Sequence, residues 1–292
     1  MNPALAKLTL KWVRKGGVKK NLLNFSLALT IAITFVAPCF GSTERELMTG
    51  LSEIKTLGPR SPGNSRLAET LEKALSFYHS VTDYKTNFFK TEKAKGILGP
   101  TERIYLKLEK SFKIYMRWLN TEKQGVEVVY EHGRNKGRLA VHKPGLLFGL
   151  AQVIFLDPDS PWIKEGSASY NIEDAGIGSF LFDFTGEVIK AAGENKLNVE
   201  YLGKTTDEDA RGEKVEVTFL DTKADSGFMA YRVRILFDER TNLPVKMELF
   251  DWQNEPMGIY TYKDLKINSG PNDPEFKNQI NRTLLKIYYN KE

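Results

Sequence analysis

The sequence predicts an α+β fold in which a strongly curved antiparallel sheet of about ten strands, a half-barrel, wraps around two or three helices. Three observations predict it: apolar and polar residues alternate in many short segments, turn residues separate these segments about every eight to twelve residues, and two segments have the spacing of amphipathic helices. The helices do not alternate with single strands, which argues against a parallel α/β sheet. A sheet of this length has to curl or close to protect its edges.

Residues 1–41 have the layout of a secretory signal peptide. The pair Lys19-Lys20 precedes an uncharged, largely apolar run at 21–43, and a cleavage site precedes Ser42. We therefore expect the mature chain to be exported to the periplasm.

The start of this segment and two alternatives to its cleavage remain open. The residues before Val18 are unusual in a signal peptide, so the natural start could lie near Val18. The apolar run is about 20 residues long, which is enough to stay in the membrane as an anchor. Cys39 could carry a lipid, although Pro38 in front of it is atypical of a lipobox.

The basic character of the chain belongs to its N-terminal segment. The whole sequence has 42 basic and 37 acidic residues, but six of the basic residues and no acidic one fall within 1–41. The remainder has 36 basic and 37 acidic residues, a net charge of −1, and no general attraction to nucleic acid. Cys39 is the only cysteine, so a cleaved chain would have no thiol nucleophile, cysteine-bound metal or disulfide.

Residues 42–64 are predicted to be a linker, because they end in a run rich in proline, glycine and serine. A single domain is predicted over 65–292, which is long enough to build its own core. It begins with a helix over 65–80, whose apolar face carries Leu67, Leu71, Ala74, Leu75 and Tyr78.

A meander of strands follows this helix. A first strand is predicted over 84–93, alternation continues over 104–108, 112–118 and 126–130, and a further strand lies at 139–142. One face of each strand is apolar, so the curled sheet would enclose an apolar interior.

An irregular apolar segment at 144–166 interrupts the strands. Its residues are apolar without a period, and we interpret it as a hydrophobic flap or a short helix with a loop. A second helix is predicted over 174–192, with a broad apolar stripe and Gly193 at its C-terminus. A helix that is apolar over so wide an arc is expected inside the curve of the sheet.

Strands resume after the second helix. Two are predicted at 197–202 and 215–220, with a polar turn at 205–212 between them. The most regular stretch is 229–267, where three alternating segments predict three consecutive antiparallel strands. A last helix is predicted after Asp273-Pro274, with an apolar face formed by Phe276, Ile280, Leu284 and Ile287.

The sequence contains no recognised motif for catalysis or metal binding. Its three histidines form no HExxH or paired-histidine motif, and there is no calcium loop, GxSxG elbow, Walker loop or GxGxxG. Asp157 and Asp159 lie in a proline-rich turn, where aspartate is favoured for local hydrogen bonding. We therefore expect no enzymatic activity, no cofactor and no metal site.

Several segments resemble those of known families. The periplasmic lipoprotein carriers of the LolA and LolB type are similar at Tyr78–Lys90, Phe237–Pro244, Met247–Asp251 and Tyr260–Leu265. An exported bacterial family, number fifteen seventy-one among the domains of unknown function, is similar at Phe112–Trp118, Gly125–Tyr130 and Asp174–Gly178. The resemblance covers about 65–274 and implies an export signal and a LolA-like half-barrel. In the carriers an apolar cavity holds acyl chains, and no catalytic residues come with the resemblance.

The candidate ligand-binding residues are large apolar side chains expected in the wall or lid of the interior. They are Phe112, Met116, Trp118, Leu147, Phe148, Phe155, Phe180, Phe184, Phe219, Phe237, Met247 and Tyr260, and Leu146, Val153 and Ile154 would belong to the same lid. For each of them a sealed core position is the alternative, because buried aromatic residues are the rule.

Two functional hypotheses follow. In the first, the chain is a non-catalytic envelope protein that binds a hydrophobic ligand, a lipid or the acyl chain of a lipoprotein, with transient membrane contact. In the second, it is a structural or protein-interaction module of the cell envelope with a solid core. An empty apolar cavity would favour the first hypothesis, and a packed interior would favour the second.

Overall fold

The computed structural model of the protein describes ten parts of the chain, residues 43–56, 62–94, 96–110, 112–144, 152–158, 160, 175–207, 210–220, 227–270 and 282–289. The predicted signal peptide lies outside the described residues. Within them, no helix has the length and apolar character needed to cross a membrane.

Helices and strands make up most of the described residues. The helices are α1 Glu44–Thr56, α2 Pro62–His79, α3 Ile177–Gly193 and α4 Arg282–Tyr289. The strands are β1 Asp83–Ala94, β2 Ile97–Leu98, β3 Glu102–Glu109, β4 Lys113–Trp118, β5 Glu127–Glu131, β6 Leu139–Lys143, β7 Gln152–Leu156, β8 Leu197–Asp207, β9 Ala210–Phe219, β10 Arg232–Asp238, β11 Pro244–Phe250 and β12 Pro256–Ile267.

The strands form one antiparallel sheet, in the order β7-β6-β5-β4-β3-β1-β12-β11-β10-β9-β8, with the short β2 paired to β1. Strands β3 to β7 and strands β8 to β12 each form a meander. The pairing of β1 with β12 joins the two meanders at the centre of the sheet. The first and last strands of the fold therefore lie side by side.

The sheet curls around α1, α2 and α3. Strands β7 and β8 are its two edges, yet Ile154 of β7 and Val199 of β8 pack against the same apolar cluster as the three helices. Register shifts interrupt the β1–β12, β8–β9, β10–β11 and β11–β12 pairings, and bulges of this kind bend and twist a sheet. We call the face towards these helices the inner face. This architecture confirms the predicted half-barrel of antiparallel strands around helices.

The opposite face, which we call the outer face, is covered in part by α4. Leu284 and Tyr288 of this helix pack against Tyr105, Tyr115 and Val129. The predicted last helix thus exists, but its contact face differs from the prediction: Ile287 is 38% exposed and Tyr288 is buried instead. Because residues four positions apart share a helix face, Leu284 pairs with Tyr288 and not with Ile287. Phe276 and Ile280 lie outside the described residues.

The prediction of a linker over 42–64 is wrong for Glu44–Thr56, which form α1. Leu47, Leu51 and Ile54 of this helix are buried in the core. Its N-terminus is a capping box, since the backbone N–H of Glu46 donates to the Thr43 hydroxyl and the Glu46 carboxylate accepts the Thr43 N–H. The Thr-x-x-Glu signal was present in the sequence, but the proline- and glycine-rich run after it suggested a linker.

The predicted flap is also different in the structure, because residues 152–156 form the edge strand β7. Val153 and Phe155 face the outer apolar cluster, and Ile154 and Leu156 face the inner one. A strand with apolar contacts on both faces shows no alternation in sequence. Most other residues of the flap, at 145–151 and 161–166, lie outside the described residues.

Candidate functional site

Nine of the twelve candidate residues belong to the apolar cluster on the inner face. Two are contributed by α3, six by the inner sides of five strands, and one by the turn before β4. They are Phe180 and Phe184; Met116, Trp118, Phe219, Phe237, Met247 and Tyr260; and Phe112. All except the half-buried Phe112 are at most 5% exposed. A side chain that lines a water-sized cavity keeps some accessible surface, so this part of the wall is closed.

The remaining three candidates lie elsewhere. Phe155 is on the outer face, where its ring stacks on Tyr288 of α4 with ring centroids 6.3 Å apart. It therefore lies on the opposite side of the sheet from the other candidates. Leu147 and Phe148, like Leu146, lie outside the described residues.

Aromatic contacts connect α3 to the sheet. The ring of Phe184 stacks on Phe180 of the same helix, with centroids 5.4 Å apart, and meets Phe219 of β9 edge-on at 6.3 Å. Phe219 in turn stacks on Phe228 at 4.7 Å. Offset and edge-on ring pairs stabilise beyond the area they bury, so these residues hold α3 inside the curve of the sheet.

The inner face ends in a cluster of buried charges, which we call the charged cluster. Lys90 of β1 lies opposite Glu102 of β3 in the strand register, and its Nζ is 3.6 Å from that carboxylate and 3.1 Å from Glu92. Lys123 forms a second ion pair with Glu102. Trp118 Nε1 also donates a hydrogen bond to Glu102, at 3.0 Å.

The charged cluster continues the row of side chains that begins beneath α3. On β1 the residues in the inner-facing phase are Tyr84, Thr86, Phe88, Lys90 and Glu92, so a mainly aromatic stretch gives way to charge roughly 20 Å from the start of the strand. Phe88 stacks on Tyr262 with centroids 4.8 Å apart. The interior is thus apolar at the helices and charged at the other end of β1.

Burial and charge act differently on the two carboxyl groups of the cluster. Burial raises the pKa of Glu92 above its ordinary value, because Lys90 and the hydrogen bond from Tyr260 offset only part of the desolvation cost. Burial acts to raise the pKa of Glu102 as well. The positive charges of Lys90 and Lys123 and the hydrogen bonds from Lys123 and Trp118 outweigh the effect of burial, so the pKa of Glu102 is lowered. Glu102 is therefore the carboxylate that the cluster keeps ionised.

A further buried carboxyl group lies on α3. Both carboxyl oxygens of Glu187 accept the backbone N–H of Met229, at 2.9 and 3.0 Å. Burial raises the pKa of Glu187 to about 8, aided by Asp183 and opposed by the Met229 N–H and Lys190. This contact ties α3 to the segment before β10.

In the described part of the chain, no three His, Cys, Asp or Glu side chains are grouped closely enough to bind a metal ion. His142 pairs with Glu127 across β5 and β6, and its Nδ1 lies 4.0 Å from that carboxylate. His132 lies in the turn at the other end of this hairpin.

The charged cluster was not among the residues singled out from sequence. A signal was available, because Lys90 and Glu92 fall in the same alternation phase as Tyr84 and Phe88, and Glu102 in the same phase as Ile104. Charged residues in the apolar phase of a strand are unusual unless they are paired.

The sequence matches one family model, described as protein of unknown function (DUF1571), over residues 81–282. This chain belongs to the DUF1571 family. The match covers more than two thirds of the sequence and contains the whole sheet, and it confirms the family identified from Phe112–Trp118 and Gly125–Tyr130. No curated protein matches the sequence.

Solved structures similar to this DUF1571 chain include LppX, a lipoprotein of Mycobacterium tuberculosis, with 11% identity and a TM-score of 0.41 over 79% of this chain and 99% of that one. A LolA superfamily protein of Nitrosomonas europaea matches with 13% identity and a TM-score of 0.29 over 70% of this chain and 94% of that one. The MucA/MucB complex of Pseudomonas aeruginosa matches with 15% identity and a TM-score of 0.38 over 74% of this chain and 60% of that one. The fold class itself follows from the strand order and register of this chain.

Proposed function

We propose that this chain is an exported envelope protein that binds an amphiphile, a lipid or the acyl chain of a lipoprotein, between α3 and the inner face of the sheet. The observation that supports the proposal is the change in polarity along the inner face. This face is apolar around Phe184 and charged at Lys90, Glu92 and Glu102. An acyl chain matches the first environment and a polar head group matches the second.

The charged cluster favours this function over a purely structural one. Buried ion pairs are commonly no more stabilising than apolar side chains of the same volume, because the charges lose their hydration. Four charged side chains at the end of an apolar interior therefore add little to the stability of the fold. A polar ligand group gives them a role.

Binding requires the interior to open, because the described wall residues are closed in this structure. Separation of α3 from β9 would expose Phe184 and Phe219 to the ligand. Each methylene that moves from water into this site contributes about 0.8 kcal/mol, so a long acyl chain can replace the contacts between the helix and the sheet. The proposed reaction is binding alone, without catalysis and without a cofactor.

Periplasmic location is part of the same proposal and rests on the signal-like segment at 1–41. Transient contact with the membrane, or a retained N-terminal anchor, would bring the protein to its ligand. Sequencing the N-terminus of the mature protein distinguishes cleavage before Ser42 from a retained segment.

The first experiment is native mass spectrometry of the protein purified from its own host, followed by organic extraction. We expect one amphiphile bound per chain, released on extraction. A mass equal to that of the bare chain, together with no uptake of added fatty acid or phospholipid, would contradict the proposal.

Two matched variants locate the binding site. Phe184→Leu removes the same atoms as Phe155→Leu, but Phe184 lies on the inner face and Phe155 on the outer face. We expect only Phe184→Leu to change the affinity for a fluorescent fatty acid. Equal effects of the two variants would exclude the inner face as the site.

A second function, a protein-interaction module with a solid core, is favoured by the near-complete burial of the described wall residues. Under this alternative the purified protein carries no amphiphile, and Phe184→Leu lowers its stability without affecting any lipid binding.

A further inference from the structure

Tyr262 of β12 carries a buried polar group on the inner face of the sheet. The residue is 3% exposed, and its hydroxyl makes no hydrogen bond to any described residue. Burying a hydroxyl without a hydrogen bond costs free energy, and nearly all buried polar groups of folded proteins are paired. Packing alone does not account for this hydroxyl, since phenylalanine would fill almost the same volume without that cost.

Tyr262 lies between the two environments of the inner face. In the strand register it pairs with Phe88, and its ring stacks on the ring of that residue with centroids 4.8 Å apart. Lys90 of the charged cluster follows Phe88 by two residues on β1, and residues two apart on a strand face the same side at roughly 7 Å from each other. Tyr262 is therefore located where the apolar wall meets the charged cluster.

Two further tyrosines contact the first turn of α3. The Tyr84 hydroxyl accepts the backbone N–H of Ile177. Gly178 leaves room for the hydroxyl of Tyr78, because a Cβ atom at this position would overlap it. The hydroxyls of Tyr84 and Tyr78 therefore both lie at the N-terminus of this helix.

The three tyrosines influence one another. Burial raises the pKa of Tyr78 to about 12 and raises the pKa of Tyr84 and of Tyr262 as well. The pKa of Tyr84 is raised further by Tyr262 and Tyr78, and that of Tyr262 by Tyr78. Effects of this kind act over short distances, so the three hydroxyls lie near one another. All three stay protonated at neutral pH, and a protonated hydroxyl can donate a hydrogen bond even while its oxygen accepts one.

The surroundings of Tyr262 favour an uncharged acceptor. Burial and Tyr78 are the causes of its pKa shift, and no charged side chain of the described residues is among them. Lys110 lies over the ring of Tyr78, but it is exposed and donates to the backbone carbonyl oxygens of Tyr78 and His79. A carboxylate buried beside Tyr262 would lack a paired cation, which is costly, whereas a carbonyl oxygen accepts the same hydrogen bond without a charge.

We propose that Tyr262, together with Tyr84, binds the ester carbonyl oxygen of an acylated lipid. This proposal rests on the function proposed above and narrows the ligand to a class of amphiphile. In such a lipid the carbonyl group joins the acyl chain to the part that carries the head group. The inner face has the same order, with the tyrosines between the apolar wall and the charged cluster. Phe184 follows Ile177 by seven residues, about 10 Å along α3, so an acyl chain that begins at the tyrosines reaches it.

The test uses the full mature chain and two lipids that differ only at the carbonyl group. Lauroyl lysophosphatidylcholine is an ester, and dodecyl lysophosphatidylcholine is the ether that lacks the carbonyl oxygen. Isothermal titration calorimetry measures their affinities below the concentrations at which they form micelles, with laurate as a third probe. We expect the ester to bind about tenfold more tightly than the ether, the effect of one buried hydrogen bond, and more tightly than laurate.

Two variants decide whether Tyr262 is responsible for this preference. We expect Tyr262→Phe to weaken binding of the ester about tenfold and to leave binding of the ether unchanged. Tyr288→Phe is the control, because it also removes a buried hydroxyl but from the cluster on the outer face, and it should keep the preference. A merely structural role of the Tyr262 hydroxyl would change the affinities for both lipids equally.

The outcomes separate this inference from the function on which it rests. Equal affinities of the unmodified chain for ester and ether, or a preference for the ester that survives in Tyr262→Phe, would overturn the role of Tyr262 while amphiphile binding stands. Tighter binding of laurate than of the ester would overturn the ligand class. If neither lipid nor laurate binds, the inference and the proposed function both fail.

Discussion

The phenolic oxygen of Tyr84 in β1 lies 3.0 Å from the backbone nitrogen of Ile177, the first residue of α3, and accepts its hydrogen bond. The N–H groups in the first turn of a helix have no partner within the helix. Gly176 occupies the N-cap position with a φ of 114° and has no side chain to act as a cap, so Tyr84 takes that part. A Cβ atom on Gly176 would lie 2.6 Å from the Tyr84 hydroxyl. The hydrogen bond from Ile177 to Tyr84 therefore requires glycine at position 176.

Replacing this tyrosine tests the contact. We expect Tyr84→Phe to lower the free energy of unfolding by about 1–3 kcal/mol, because the buried Ile177 N–H would lose its acceptor. Tyr262→Phe is the matched control: Tyr262 is also buried, and its hydroxyl makes no hydrogen bond to the described residues. Urea denaturation of both variants measures the difference, and equal losses would show that the Tyr84 hydrogen bond contributes nothing.

Replacing glycine by alanine should have opposite effects on stability at two positions of α3. A Cβ atom at Gly178 would lie 2.2 Å from the Tyr78 hydroxyl, whereas a Cβ atom at Gly186 would lie 3.9 Å from Leu47, an ordinary contact. We expect Gly178→Ala to be destabilising and Gly186→Ala to be stabilising by about 0.5–1 kcal/mol, the helix preference for alanine. Thermal unfolding of the two variants measures both changes in stability. A stabilising Gly178→Ala would mean that Tyr78 moves away at no cost.

Loss of one cation should disrupt the charged cluster. Lys90→Met leaves Glu92 and Glu102 buried beside each other with Lys123 as the remaining cation of the cluster described above. Breaking a buried pair from one side costs about 3–5 kcal/mol. Lys246→Met breaks a more exposed pair with Glu248 and should cost at most about 1 kcal/mol. Chemical denaturation compares them, and similar costs would mean that water reaches Lys90.

The stability of the protein should depend on the protonation of Glu187. Burial raises its pKa to about 8 in the folded state, from an ordinary value of 4.5. Between these two pH values the folded state binds more protons at this residue than the unfolded state does, so the free energy of unfolding falls as the pH rises from about 4.5 to 8.

Glu187→Gln removes this titration and keeps an acceptor for the Met229 N–H. We expect the variant to be more stable than the unmodified protein at pH 8 and to lose the part of the pH slope due to Glu187. Unfolding curves recorded at several pH values measure both effects. An unchanged slope would mean that Glu187 is ionised in the folded state.

Much of the sheet could be predicted from sequence, because apolar and polar residues alternate along a strand that has one apolar face. Strands β10, β11 and β12 follow that pattern and were found with the correct pairing order. Strand β7 was missed because Val153 and Phe155 pack on one side and Ile154 and Leu156 on the other, which removes the alternation. Strands β8 and β9 also run into the polar turn predicted at 205–212, since an extended hairpin tolerates polar residues on both sides of its tip.

The candidate sites were less predictable. The aromatic residues of the interior could be recognised by type, but their closure depends on how α3 packs, which spacing does not specify. The faces on which the last residues of β12 lie depend on a bulge, because β12 has one extra residue between the Asn87–Lys263 and Lys85–Lys266 pairs. The spacing between Lys263 and Lys266 in the sequence would place them on opposite faces of a regular strand. A register shift is a property of two paired strands and is not visible in either strand alone.

The pairing of β1 with β12 also determines when the chain can fold. It brings Tyr84 beside Ile267 at the centre of the sheet, so the cost of closing a very long loop is met before the two meanders can share a core. Until the last strand has left the ribosome, β1 lacks one of its two long neighbours and the first meander has half of a sheet. The half-barrel is therefore completed only after β12 has been synthesised, and until then β1 is an open edge to which another strand can pair.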